Sequence, residues 1–373
     1  MLKQRDECTM QEKQFKKITV IGGGNIGTQF ACVAASKGYE VCVYSSKAKK
    51  YDGKLNIVDG EYNVICSARV AKVVSDLAYA LEDCDVAFVT LPSFMFPRLA
   101  RDMAPYVTEK LHIGVIPGTG GAEFSFSSCL QAGATLFGIQ RVPCVARLVE
   151  YGKTVRVEGK RDRLHLAAIP KIKTQELATF VSNLFDMPCD SLDNYLCVTM
   201  TPSNPILHTT RLCSMFNNYT EGVIYERNPL FYGEWDEASA KLLLACDEEH
   251  QQLLAKMERL DLHEVRSLRE HYESDTVQKL ITKLSGIASL HNLPSPMVQV
   301  EGGWIPDFNS RYFTADFPYG LDIIEQIAKI VGMETPNISK TMAWYRKVTG
   351  DDSALNLKDH GIACVEDIYK LYS

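Results

Sequence analysis

The chain has 373 residues, a formal net charge of −6 and a hydrophobic fraction of 46%. That length suits two domains, each able to bury a core, and the acidic balance argues against the broad positive footprint of a nucleic-acid binder. No apolar run reaches the roughly eighteen residues of a membrane span, and the leader MLKQRDECTMQEKQFK lacks the apolar segment of a secretory signal. The expectation is a cytoplasmic protein with a frayed leader, and neither nucleic acid nor membrane as a partner. Its 12 cysteines are spread from Cys8 to Cys364 without a C-x-x-C pair, and no His, Cys and carboxylate cluster has zinc-like spacing. Reduced thiols acting as small hydrophobes, and no metal site, are therefore expected.

Ile18 to Ile21 is a short β-branched run of the kind that forms a buried parallel strand. It leads into Gly22, Gly24 and Gly27, which satisfy G-x-G-x-x-G. Phe30, Val33 and Ala34 then recur at helical intervals, Gly38 stops the helix, and Val41 to Tyr44 reads as a second strand. Three glycines can make a mere turn, but here the whole strand–turn–helix–strand context of a dinucleotide site surrounds them. Gly22 would allow the tight turn, Gly24 the approach of a pyrophosphate and Gly27 close helix–strand packing. The free N–H groups near Asn25 and Ile26 would face the anion.

An NAD enzyme places a carboxylate after the second strand, where it holds the ribose 2′-hydroxyl. Here Ser45, Ser46 and Lys47 stand there, with Lys49 and Lys50 beyond. Hydroxyls and ammonium groups suit a 2′-phosphate, so NADP(H) is favoured, with NAD(H) the alternative.

Further along, Tyr62 to Ala68 reads as a strand, Leu77 to Cys84 as a short helix and Asp85 to Leu91 as a buried strand closed by Pro92. Leu91 and Ser93 should lie at the rim where an open parallel sheet receives its ligand. A helix over Met95 to Val107 and a strand over His112 to Ile116 follow. The strand ends in PGTGGAEF, a second glycine-rich turn that sets Gly118, Thr119 and Gly120 on the same rim as candidate ligand contacts. Short β runs fill Thr135 to Ile169, and Gln175 to Phe185 reads as a closing helix. From about Leu192 only helical patterns remain: Asn204 to Asn217, Glu237 to Leu260, Asp275 to Leu284, Leu321 to Gly332 and Ile338 to Val348. The expected fold is α/β, a Rossmann-type dinucleotide-binding domain over 1–191 followed by a mainly α-helical catalytic domain over 192–373.

Acid–base candidates are few. His208 lies in TPSNPILHTTR, where helical spacing puts Asn204, His208 and Arg211 on one face. A lone histidine is more often structural than catalytic. His250, His263 and His271 fall in charged helical stretches read as solvated, and His165 alternates within a strand. The loop WIPDFNSRYFTADFPYGL, Trp304 to Leu321, carries Arg311 and Asp316 around Tyr312 and Phe313. An arginine there suits bidentate carboxylate binding, and an aspartate beside a histidine fixes its tautomer. A plain Arg–Asp salt bridge closing the loop fits the spacing equally well.

The set GGGNIG, IPGTGGAEF, SNPILH and SRYFTADFPYGL resembles the octopine/nopaline, or opine, dehydrogenases, over Lys16 to about Gly361. The resemblance implies an enzyme that joins an amino acid to an α-keto acid by reducing their imine with NADH or NADPH, in a cleft between the two domains. It implies His208 as acid–base, Asp316 as its partner and Arg311 as a carboxylate clamp; Asn204, from the face it shares with His208, and Gly118 and Thr119, from their place on the rim, are the further candidate substrate contacts. In RVPCVAR, Arg141 to Arg147, the family varies, and no contact is carried over. A reductase or dehydrogenase of a small 2-keto or 3-hydroxy acid, or a non-catalytic NADPH sensor, would fit the same plan. The substrates and the oligomeric state, a homodimer included, stay open.

Overall fold

The computed structural model describes residues 15–351 and 355–373. The expected frayed leader therefore lies outside the described residues, except at its end. There Phe15 is buried, with its ring edge-on to His112 and Phe180, so the packed chain begins ahead of the first strand.

The strands of the first half are β1 (Lys17–Ile21), β2 (Glu40–Tyr44), β3 (Lys54–Val58), β4 (Val64–Arg69), β5 (Lys72–Val74), β6 (Val86–Val89), β7 (His112–Val115), β8 (Thr135–Ile139), β9 (Val145–Glu150), β10 (Thr154–Glu158), β11 (Leu164–Ile169) and β12 (Cys189–Ser191). Eight of them form one sheet in the order β12-β11-β8-β7-β6-β1-β2-β5. All its pairs are parallel except β11 with β8. VAFV, HIGV and TLFGI are buried along their whole length, which a central strand covered on both faces requires.

Of the short β runs expected over Thr135 to Ile169, β8 and β11 join this sheet, while β10 belongs with β9 to a second one, β4-β3-β10-β9. It packs over the helix Asn25–Ser36, where Cys32 Sγ lies 3.4 Å from the Leu55 carbonyl and Asn25 Oδ1 accepts the Leu148 N–H at 2.8 Å. β3, β5 and β9 were not legible as strands, since they are short and mix polar with apolar residues. The predicted strand at Tyr62 to Ala68 forms over Val64–Arg69, in this second sheet.

The second half is built mainly from the helices Thr209–Met215, Glu237–Lys256, Val277–Ser285, Asp322–Val331 and Pro336–Thr349. One antiparallel hairpin, Met297–Val300 with Gly303–Pro306, departs from the expected helical run. Two π-helical segments, Ser203–His208 and Phe317–Leu321, lie against each other. Their contact is close enough that a Cβ at Gly320 would stand 3.1 Å from Pro205 Cβ. One core cluster runs from the sheet face (Val89, Ile113, Val115) through Leu196 and Met200 to Leu243, Phe317 and Ile323. Among the described residues no helix is long and apolar enough to cross a membrane.

Candidate active site

The glycine turn follows β1 and opens the helix Asn25–Ser36. Gly22 has φ +112°, a conformation that side chains rarely adopt, and a Cβ at Gly27 would stand 1.8 Å from the Gly22 carbonyl oxygen. At Gly24 the same test meets nothing within 4 Å. The turn is thus closed beneath and open above, and no side chain caps the helix start, so its first N–H groups face the opening. This cradle fits a dinucleotide pyrophosphate. Thr90 Oγ1 buttresses it by donating to the Ile21 and Gly22 carbonyls at 3.1 and 3.3 Å.

A cleft of about 440 Å³ leads from Gly24, Asn25 and Ile26 past Thr119 to Asn204, His208 and Arg311. An adjoining recess adds Leu91, Ser93 and Asp316. These residues follow the C-terminal ends of β1, β6 and β7 or lie in the π-helical segment Ser203–His208 and in the stretch Arg311 to Asp316 that leads into Phe317–Leu321. Sequence positions about a hundred residues apart converge there because Ser203–His208 and Phe317–Leu321 are in contact.

Within the cleft, His208 Nδ1 lies 2.8 Å from Asp316 Oδ2, and its Nε2 lies 3.1 Å from the Tyr232 hydroxyl. A carboxylate only accepts, so Nδ1–H donates to Asp316, and Nε2 of the neutral ring accepts from Tyr232. Phe231 and Tyr312 pack edge-on against the imidazole at 5.5 and 4.7 Å between centroids. Burial raises the Tyr232 hydroxyl well above its ordinary pKa, which keeps it a neutral donor. Asp316 is paired with His208 and not with Arg311, so the loop-closing Arg–Asp bridge does not form. Arg311 is exposed, stands 5.7 Å from the Tyr312 ring centroid, and has no ion pair among the described residues.

Several predicted positions lie elsewhere. Gly118 is spent on packing: its N–H bonds the Ile139 carbonyl at 2.8 Å, its carbonyl accepts from Tyr195 at 3.1 Å, and a Cβ would stand 2.6 Å from Gly138 Cα. Arg211 does not share the face of Asn204 and His208. The π turn breaks the i, i+4, i+7 phase, and the guanidinium is buried on Asp236, Ser239 and the Glu234 carbonyl. Ser45 is buried, its Oγ bonded to the Tyr151 hydroxyl at 2.9 Å, while Ser46 and Lys47 are exposed. His250 is fully buried rather than solvated, and burial pushes it down to about 4. His271 is half-buried and faces the cleft.

Tyr232 carried no sequence signal, since NPLFYGEW reads as an ordinary loop. Tyr51 and Tyr151 were also missed. Their hydroxyls close over Gly23, where a Cβ would meet them at 2.0 and 2.8 Å, and Tyr51 donates to the Gly23 carbonyl at 3.3 Å. Among the described residues no group of three or more His, Cys, Asp or Glu could hold a metal ion, and every cysteine is free.

Two family models match the chain. Residues 191–349 match the α-helical domain of the NAD/NADP octopine/nopaline dehydrogenases, and residues 17–124 match the N-terminus of NAD-dependent glycerol-3-phosphate dehydrogenase. Octopine dehydrogenase of Mizuhopecten yessoensis is 28% identical over 92% of this chain and 93% of its own length. Tauropine dehydrogenase of Arabella iricolor is 24% identical over 90% and 92%. A solved structure of octopine dehydrogenase with NADH and L-arginine superposes with a TM-score of 0.81 at 24% identity, covering 95% of this chain and 97% of that one. An NAD-type N-terminal domain and this helical domain thus follow each other in one chain, which over nearly its whole length is similar to the octopine/nopaline, or opine, dehydrogenases.

Proposed function

We propose that this protein is an NAD(P)H-dependent oxidoreductase acting on CH–NH bonds, which reductively condenses an amino acid with an α-keto acid. The observation that carries the proposal is the His208–Asp316 pair, at 2.8 Å, facing a cleft that begins at the glycine turn and also holds Arg311. Curated relatives of similar length are named for octopine, tauropine and opine, which supports the same chemistry.

When bound, the nicotinamide cofactor supplies the hydride. The chain's residues do the rest. Arg311 holds a substrate carboxylate and fixes the keto carbon in place. His208 carries two protons in turn from the amine nitrogen to the keto oxygen, the first as the C–N bond forms and gives the carbinolamine, the second as that C–O bond breaks, so that water leaves and an imine forms. Asp316 holds the ring in the tautomer with Nε2 unprotonated, ready to take a proton once the substrate shares or displaces Tyr232, and balances the imidazolium. Asn204 and Thr119 line the cleft as further substrate contacts.

In this reading residues 1–191 hold the cofactor and 192–373 supply the acid–base groups. NADP(H) is favoured, because the exposed Lys47 and Lys50 stand near Tyr151, at 5.3 and 6.0 Å from its ring, and SSK holds no carboxylate. Free cysteines fit a reducing, cytoplasmic setting. All the proposed site residues lie on one chain, so either a monomer or a homodimer can carry the activity. Mass spectrometry of the product tests the proposal. A secondary amine joining both substrates, with water lost and two hydrogens gained, is expected; a hydroxy acid with the amine untouched would replace the reading with simple keto reduction.

A further inference from the structure

In the cleft that holds His208, two guanidinium groups stand without an ion-pair partner among the described residues. Arg141 follows β8 and donates Nε and Nη2 to Ser203 Oγ at 3.1 and 2.8 Å. Arg161 precedes β11 and donates Nε to the Val142 carbonyl at 3.1 Å. Both line the cleft that holds His208. Among the described residues neither forms an ion pair with a carboxylate. Their neighbours Arg163 and Arg266 do, with Asp190 at 2.6 Å and Glu264 at 3.6 Å.

The pair is electrostatically unfavourable as it stands. Burial and the charge of Arg161 push Arg141 down to about 10. Burial, with the charges of Arg141 and Arg161 next, pushes His271 down to about 3, so this ring is neutral and adds no further charge. Like charges held close in a half-buried site need a negative partner; Glu264 lines the neighbouring recess but pairs with Arg266, and among the described residues no carboxylate pairs with either arginine.

The cofactor phosphates have their own place, at Gly24 to Ile26. Arg147 lines the cleft at that end, next to Leu148, whose N–H bonds Asn25 at 2.8 Å. Arg141 is tied instead to Ser203, the first residue of the π-helical segment that ends in His208. Its position is on the substrate side.

Resting on the reductive-condensation reading, we propose that Arg141 and Arg161 form an anion subsite for a second acid group, so that one of the two condensing substrates is a dicarboxylic amino acid or keto acid.

The test has a binding arm and a turnover arm. Glutarate and butyrate are titrated calorimetrically into the NADPH complex of wild type, Arg141→Gln, Arg161→Gln and Arg141→Lys, with melting curves to verify folding. Wild type should bind glutarate more tightly than butyrate. Each Gln variant should lose roughly tenfold to a hundredfold in glutarate affinity, the usual worth of a hydrogen bond to a charged group, with NADPH affinity unchanged. Arg141→Lys should retain part of it. Equal affinity for the two acids overturns the subsite, and so does loss of NADPH affinity in the Gln variants, which would give the arginines to the phosphates.

In the turnover arm, glutamate and aspartate are compared with norvaline and alanine, and 2-oxoglutarate and oxaloacetate with 2-oxovalerate and pyruvate. A preference among the amines or among the keto acids identifies which substrate carries the second acid; a preference for two monoacids overturns the proposal. Arginine-dependent glutarate binding without turnover of any pair would leave the subsite standing and remove the condensation reading.

Discussion

Tyr232 sets its hydroxyl 3.1 Å from His208 Nε2, on the opposite side of the imidazole from Asp316. Both ring nitrogens are therefore engaged, and the substrate must share or displace the tyrosine to reach Nε2. Tyr232→Phe should lower kcat by roughly two- to tenfold, the worth of one neutral hydrogen bond, and leave the KM for the cofactor unchanged. An unchanged kcat would remove Tyr232 from the site.

His208 and Asp316 should behave as one unit. His208→Ala should lower kcat by about two to four orders of magnitude, and Asp316→Asn by less, because the imidazole stays but loses its ionic partner. The double variant should cost little more than His208→Ala alone. Losses that multiply would contradict the dyad. Arg311→Ala should chiefly raise the KM of one substrate.

Cofactor choice is expected to rest on Lys47 rather than Ser45. Ser45 is 4% exposed and bonded to Tyr151, so Ser45→Asp would bury a carboxylate and lower stability instead of switching preference. Wild type should show the higher kcat/KM with NADPH. Lys47→Glu should lower that value by about tenfold with little effect on NADH, as expected for loss of a charge-assisted contact. A wild type that prefers NADH would contradict this assignment.

Glu123 joins the second glycine turn to the last helix, Val365–Tyr372. Its Oε1 accepts from Thr199 and, at 2.6 Å, from Tyr372, while its buried Oε2 has no partner. Burial pushes its carboxyl up to about 7 from 4.5. The folded state thus holds a proton that the unfolded chain releases near pH 4.5. This stabilisation is full below that pH and is lost as pH rises through about 7, on the order of 3 kcal/mol in all. Urea unfolding of wild type and Glu123→Gln at pH 5 and pH 8 should show the variant gaining on the wild type at the higher pH. A pH-independent difference would mean that Glu123 is ionised throughout.

The strand, glycine turn and helix at Lys17–Ser36 were legible because their hydrophobic period and turn chemistry are local. His208, Arg311 and Asp316 stood out through their segments, yet only the contact between two π turns makes them one site. The same π geometry defeated the helical-face reading of Arg211, since a turn with i→i+5 bonding shifts every later side chain. Gly118 looked like a ligand contact for the same reason as Thr119, and only its packing against Gly138 separates them. Arg141, Arg161 and His271 meet from three separate segments, and no spacing within any one of them announces it.

The most direct measurement of the central claim is NADPH consumption by the purified protein with an amino acid alone, a keto acid alone, and the two together, across a matrix that includes dicarboxylic members of each class. Oxidation that requires both partners, and that falls by at least about a hundredfold in His208→Ala, is the predicted result. Oxidation with a keto acid alone at the same rate, or none with any pair, would contradict it.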